Sequence, residues 1–458
     1  MLTINLSTME KVFLVLCVAG LIALIFLKNK SIVKNNADKK LKDLVWGKRN
    51  AVHGVIFGRK KDKVLYSPVG GEGSILCTAG TGMGKTSSLL IPTLRSWMGT
   101  SLTIDISGDI SKNCPNVDNK LVFEIENAST IPYNIFAQID ELQSDDLRNE
   151  ALVNLAILLM PLPPNAAENA KFFNDNGRKI LSATLIAFYY KNMDFCDICR
   201  KIVGSSWQDL FNEIDATQNE EAILYINGFH GANEANTGGC FQACCEAISL
   251  FATNSKVRNS VRRPDKEESC IQPNNIEENN TFIIVPEEKL ELFSPLLNII
   301  VSQFMNYVSS RQVNQNSKTI LISLDEYASL RIDSGIILDA LRRFRKRRCR
   351  LLLLTQNLAD FDILYGENVT RAILSNLRYK CLLGGLGELK SMEEFSKMIG
   401  YKETTKRSIS KSATGTSRTE SEDKEYIIEP AELDRLGDDM ILISPEGYFR
   451  LQKNFYFK

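Results

Sequence analysis

Histidine is almost absent. His53 and His230 are the only two in 458 residues, which excludes sites built from several imidazoles. An excess charge of one sign is also missing: 55 Lys and Arg balance 55 Asp and Glu. That excludes a generally basic nucleic-acid coat and leaves only local patches for phosphate contact. Cysteine is sparse and scattered, eleven in all, too few for a disulfide framework in so long a chain and suited to a reducing compartment. Internal repeats are absent. Long hydrophobic runs are absent too, with one exception at the start of the chain. What remains is ordinary for a folded protein: 44% apolar and 24% charged residues, in a length of about three average domains.

The exception is 12–27, VFLVLCVAGLIALIFL, sixteen apolar residues flanked by Lys11 and Lys28. It is slightly short for a bilayer core of about 30 Å, but both flanking lysines can snorkel to the interfaces. No small-x-small cleavage pattern follows it, so a retained single-pass anchor is expected rather than a signal peptide. Lys28, Lys30, Lys34, Lys39, Lys40 and Lys42 follow the run, against Lys11 alone before it. The positive side stays in the cytoplasm, so 28–458 is expected to be cytosolic.

Beyond a polar linker, short apolar runs alternate with helical patterns. Strands are predicted at 74–78, 102–105, 121–125, 281–285, 320–324, 351–355 and 380–383. Several are unbroken Leu/Ile/Val runs, the pattern of parallel strands buried on both faces. Between 142 and 275 the strand signal stops and helices are expected, for example at 150–159, 172–190 and 241–253. The polar stretch 403–425 reads as a mobile loop.

AGTGMGKT, Ala79 to Thr86, follows one strand and precedes a helix, the setting a phosphate-binding loop requires. Gly80, Gly82 and Gly84 give the backbone the freedom to curl its N–H groups around a phosphate, with Thr81 and Met83 between them. Lys85 is expected at the β- and γ-phosphates, the Thr86 hydroxyl on Mg²⁺, and Ser87 at the helix start. Ala79 stands where the strict pattern has Gly, at a position that begins the loop.

A second strand should bring an acid to the metal. The run 320–324 ends in Asp325, a candidate Mg²⁺ ligand, and Glu326, a candidate base for an attacking water. The strand 351–355 ends in Gln356, placed to sense a γ-phosphate. Between them, RRFRKRRCR (342–350) holds seven basic residues in nine, readable as an arginine finger, a phosphate-binding patch or a solvated helix face. Cys196, Cys199, Cys240, Cys244 and Cys245 could be arranged as a zinc site, but their irregular spacing fits buried helical cysteines better. DISGD (105–109) ends a strand where ligands bind in α/β sheets, without a role that chemistry alone assigns.

These segments, in this order, resemble the type IV coupling proteins, the TraG/TraD-like ATPases of conjugation and type IV secretion. The likeness is carried by GVIFGR (54–59), AGTGMGKTSSLLIPTL (79–94), TIDISGD (103–109, with Ser107 in place of a lysine), LDEYASL (324–330), LLLLTQNLADFDILYG (351–366), LSN (374–376) and the closing EPAELDRLGDDMILISPEG (429–447). The resemblance implies an α/β fold: a RecA-like P-loop nucleotide-binding domain interrupted by an all-α domain, behind an N-terminal transmembrane helix. The corresponding limits are 1–30 for the anchor, 31–50 for the linker, 51–141 and 276–458 for the two parts of the nucleotide domain, and 142–275 for the insertion. It implies ATP and Mg²⁺ as cofactors. Its implied partners are DNA carried by a relaxase, the components of a type IV secretion channel, the membrane, and further copies of the chain in a homo-hexamer. It places the arginine finger at Arg345. Three departures are a single membrane span where two are usual, a divergent insertion, and no long acidic tail after residue 450. An FtsK/HerA-type DNA translocase and a docking receptor for secreted proteins remain the alternatives.

Overall fold

Unbroken apolar runs can be satisfied only where both faces of a strand are covered, and that requirement organises the molecule. The computed structural model of the chain describes residues 43–458, except 128, 163–165, 266–267 and 413–414. The expected anchor, and the linker up to residue 42, lie outside the described residues. Among the described residues no helix is long and apolar enough to cross a membrane.

In chain order the strands are β1 (Val45–Lys48), β2 (Gly54–Lys60), β3 (Lys63–Pro68), β4 (Ser74–Thr78), β5 (Thr100–Asp105), β6 (Lys120–Glu124), β7 (Asn280–Ile284), β8 (Ile320–Leu324), β9 (Cys349–Thr355), β10 (Leu377–Leu382), β11 (Tyr401–Ser412), β12 (Gly415–Tyr426), β13 (Asp439–Ser444) and β14 (Gly447–Gln452). Twelve of them form one sheet, in the order β1-β3-β2-β14-β13-β10-β4-β9-β8-β5-β7-β6. From β10 to β6 every neighbouring pair is parallel. These seven strands are the seven predicted from apolar runs. Every residue of β4, β5, β8 and β9 is buried. The rest of the sheet is an antiparallel extension through β13, β14, β2 and β3.

Between β6 and β7 the described elements are helices and short turns. The main helices are Asp145–Leu159, Glu168–Tyr189, Phe195–Gly204, Trp207–Ala216, Glu220–Ile226 and Glu234–Thr253. Their starts are legible, because Ser144, Asp194, Ser206, Asn219 and Asn233 each accept a backbone N–H with the side chain. Cys196, Cys199, Cys240 and Cys244 are buried among these helices. Burial raises all four thiols above their ordinary value, and Cys196 Sγ lies 3.3 Å from the Val261 carbonyl. They are packing residues. Tyr133 and the sheet's own Ile104 and Phe123 belong to the same hydrophobic core as these helices.

The stretch 403–425 is not a loop. β11 and β12 pair as an antiparallel two-stranded ribbon, in register from Tyr401 opposite Tyr426 to Ser412 opposite Gly415. Thr-rich sequence suits strands as well as loops, and the register sets Lys402 against Glu425 and Glu403 against Lys424. Stacked Tyr401 and Tyr426 rings, 5.0 Å between centroids, close its base.

Candidate nucleotide site

The loop after β4 is pinned from both sides before it turns. Ala79 N–H donates to the Thr355 carbonyl on β9 (3.2 Å), and Gly80 N–H donates to the Gly384 carbonyl after β10 (3.0 Å). Ala79 is fully buried and spends its N–H on the sheet, so the missing glycine costs the loop nothing. At Gly80 a Cβ would sit 1.9 Å from the Gly385 carbonyl oxygen, so no side chain fits. Gly82 and Gly84 have φ of +75° and +91°, the left-handed region that favours glycine. Met83 N–H closes the turn onto the Gly80 carbonyl (3.2 Å), and the Met83 side chain packs on Gly385. Thr81 and Gly82 form the exposed crest.

The chain then enters a helix over 86–96. Its first turn is wide, with Ile91 N–H reaching back to the Thr86 carbonyl. Pro92 follows and has no N–H to give, which accounts for a relaxed turn at this point. The Ser87 carbonyl accepts the Tyr456 N–H (3.0 Å) from the segment after β14.

Lys85 and Thr86 meet the acid pair across the sheet. β9 lies between β4 and β8, so the loop and the acids emerge from the same strand ends. Lys85 Nζ is 3.0 Å from Glu326 Oε1 and 3.1 Å from the Ala79 carbonyl. Thr86 Oγ1 donates to Asp325 Oδ2 at 3.3 Å. Lys85 and Asp325 are buried, while Glu326 is partly exposed. Burial, then the neighbouring Glu326, raises the Asp325 carboxyl from 3.8 to about 6; Lys85, the Glu326 N–H and the Thr86 hydroxyl pull it back. The pair of oxygens on Thr86 and Asp325, beside a loop of left-handed glycines at a helix start, fits Mg²⁺ and a nucleotide's phosphates.

Glu326 itself has φ +44° and ψ +50°, strained for a residue with a side chain. The next residue fixes that turn. Tyr327 is fully buried, its ring 5.2 Å from Phe361, and its hydroxyl is 2.5 Å from that of Tyr365. Tyr365 in turn donates to the Ile332 carbonyl (2.7 Å). Sequence reasoning missed this pair, although both tyrosines lie inside the quoted motifs. It also missed the Gly384–Gly387 turn that walls the loop; its signal was three glycines in four residues after an apolar strand.

Gln356 is exposed immediately after Thr355, whose register partner on β4 is Thr78. It therefore emerges beside the loop. Asp105 is a structural residue: its buried carboxylate accepts N–H groups from Gly108 (2.9 Å) and Ser111 (2.7 Å), among others, and holds the turn after β5.

The basic run is divided rather than a single patch. Arg350 is buried in β9, where it donates to the Gly73 carbonyl (2.9 Å) and Ser67 Oγ (3.1 Å). Arg347 and Arg348 hold carbonyls of 311–317. Arg345 is 70% exposed, with Nε 2.7 Å from Glu72 Oε2. It lines a cavity of about 660 Å³ with Ser74, Cys349 and Leu377, the first residues of β4, β9 and β10. Its own phosphate loop lies at the other end of those strands, roughly 15 Å away at about 3.3 Å per residue.

The description "type IV secretory system conjugative DNA transfer" belongs to a protein family whose pattern matches residues 23–458. The chain belongs to that family. The fold agrees with it. The bacterial conjugative coupling protein TrwB superposes with a TM-score of 0.66 at 17% identity, over 83% of this chain and 84% of that one. TrwB in complex with ADP and Mg²⁺ gives 0.65 at 18% identity, over 83% and 85%. VirB4 of Thermoanaerobacter pseudethanolicus gives 0.51 at 13% identity, over 88% and 96%. No curated protein matches the chain in sequence.

Proposed function

We propose that this coupling-family chain is a Mg²⁺-dependent ATPase, tethered to the inner membrane, that drives DNA transfer into a type IV secretion channel. One observation carries the reading. Lys85 and Thr86 lie 3.0 and 3.3 Å from Glu326 and Asp325, although some 240 residues separate the two pairs. Bound Mg²⁺ supplies charge neutralisation at the phosphoryl oxygens.

This chain's own groups supply the rest. The loop's N–H groups over 81–86, apart from that of Met83, and the helix start cradle the β-phosphate. A nucleotide's phosphates compete with Glu326 for the Lys85 ammonium, and Lys85 drawn to them leaves the Glu326 carboxylate free to accept a proton. Glu326 orients the attacking water and takes its proton as the new bond to the γ-phosphorus forms and the bond to the β-phosphate oxygen breaks. Gln356, beside the loop, contacts the γ-phosphate. Arg345, remote from its own loop, serves a neighbouring subunit's nucleotide in a homo-hexamer, with its Glu72 pair as a resting contact. The helices over 142–275, packed on the sheet's own core, form the cargo-facing side that receives the relaxase-bound DNA. The Lys-rich side of the apolar run keeps the bulk of the chain cytoplasmic.

The family description favours conjugative transfer over a chromosome translocase or a pure docking receptor. The test is DNA transfer by cells carrying Lys85→Ala in place of the wild-type chain. Transfer is expected to be lost while the protein accumulates normally in the membrane fraction; unchanged transfer would remove ATP from the mechanism.

A further inference from the structure

Away from the nucleotide loop, β1, β2, the helix over 86–96 and the segment after β14 frame a second cavity, of about 980 Å³. Lys48, Arg49, Arg95 and Lys458 line it, and Met98 and Phe457 stand at its edge, 68% and 63% exposed. Burial alternates along β1, so exposed Trp46 shares the outer face of Lys48. Asp62 also lines the cavity, and in sequence it sits among Lys60, Lys61 and Lys63.

The two arginines here pair with main-chain oxygens. Arg49 donates to the Phe455 carbonyl and to a main-chain oxygen of Lys458, the last residue of the sequence, and Arg95 donates to the Asn113 carbonyl (2.7 Å) and covers the Tyr456 ring at 4.8 Å. The Phe455 and Asn113 carbonyls carry no net charge and leave the guanidinium charges intact. Burial and then the like charges of Arg59 and Arg95 push the Arg49 guanidinium below its usual range, and Arg59 Nε is itself buried without a hydrogen-bond partner. Among the described residues Asp62 lines the cavity and Asp438 lies 3.9 Å from Lys458 Nζ.

A basic hollow edged by exposed Phe457 and Met98, with exposed Trp46 on the strand face of Lys48, has the chemistry of a membrane-interface surface: cations for lipid phosphates, amphipathic rings for the headgroup layer. Chain length makes the contact possible. β1 begins eighteen residues after Leu27, the last residue of the apolar run. Even fully extended, that connection reaches no more than about 65 Å. It also carries six further lysines. We propose that this face, from Trp46 and Lys48 to Phe457 and Lys458, docks on the anionic phospholipid headgroups of the membrane that holds the tether. The inference rests on the membrane tether and is independent of the ATPase chemistry. Each Lys or Arg near an anionic surface contributes about a fivefold gain in partition, and the effect weakens within a Debye length as salt rises.

The test uses the full chain in vesicles of acyl-brominated phosphatidylcholine, with and without phosphatidylglycerol, and follows tryptophan emission. Co-flotation with vesicles comes first; a chain that fails to float with either lipid has lost the tether, and the docking inference falls with it. In chains that float, emission is expected to be quenched when phosphatidylglycerol is present, and Trp46→Phe should remove that quenching. Lys48→Ala combined with Lys458→Ala should raise the phosphatidylglycerol fraction needed for half-maximal quenching about twofold or more. Emission unaffected by bromination, or quenching indifferent to phosphatidylglycerol, overturns the proposal. A Trp46 response to added DNA but not to phosphatidylglycerol also overturns it and assigns the face to DNA phosphates.

Discussion

Asp325→Asn should make the protein more stable while destroying its metal-dependent function. The wild-type carboxyl sits near 6 rather than at 3.8, because burial and Glu326 oppose its charge. A raised carboxyl pKa means that the folded chain holds this proton more tightly than the unfolded chain. The site therefore destabilises the fold at pH above about 6, and the cost fades as pH falls towards 3.8. At pH 8 the shift corresponds to about 3 kcal/mol, an upper bound on what removing the charge returns. For more than 400 residues that is roughly 3–4 °C in Tm. Asn keeps an oxygen for the Thr86 hydroxyl, so the contact at 3.3 Å can survive. The assay is thermal unfolding of both chains in the same detergent, at pH 8, 6 and 4, without nucleotide. A gain at pH 8 that shrinks towards pH 4 is expected, together with loss of Mg²⁺-dependent nucleotide binding. No gain at pH 8, or a gain independent of pH, would refute the electrostatic reading of the buried acid.

Two further expectations separate positioning from chemistry. Arg345→Ala should lower hydrolysis in assembled rings about a thousandfold while leaving nucleotide binding by the monomer intact. Its exposed pair with Glu72 is worth only about 0–1 kcal/mol, so folding should not suffer; loss of monomer binding would instead put Arg345 in its own pocket. Tyr327→Phe removes the donor to Tyr365 and should cost about 1 kcal/mol of stability and lower kcat severalfold with KM unchanged. A KM effect of the same size would show that the tyrosine pair shapes nucleotide binding rather than the turn at Glu326.

The parallel half of the sheet was legible because its strands are continuous apolar runs, and such runs have one stable environment. ILISL and LLLLT demand burial on both faces, and each ends at the residue that carries chemistry. The antiparallel half was not legible in that way. β14, GYFRLQ, is largely exposed, β1 is four residues long, and β2 and β3 mix Gly, Lys, Arg and Pro with their apolar residues. The ribbon β11–β12 was misread because Ser, Thr and alternating charge suit either a solvated loop or a solvated strand pair. That Lys85 and Thr86 would meet Asp325 and Glu326 could be read from their order along the chain, since strand ends in a parallel sheet converge. The basic run could not. Only the fold separates Arg350, which braces β9, from Arg345, which faces outward at the opposite strand ends. Tyr327 and Tyr365 escaped notice because their contact depends on how two turns pack, which no spacing records.

The most direct test is steady-state ATP hydrolysis by the full chain in membranes, with and without DNA, for wild type and Glu326→Gln side by side. DNA should stimulate the wild-type rate, and the variant should bind ATP yet turn it over negligibly in both conditions. Wild-type turnover indifferent to DNA, or rapid turnover by the variant, would contradict a DNA-driving motor that uses Glu326 as its base.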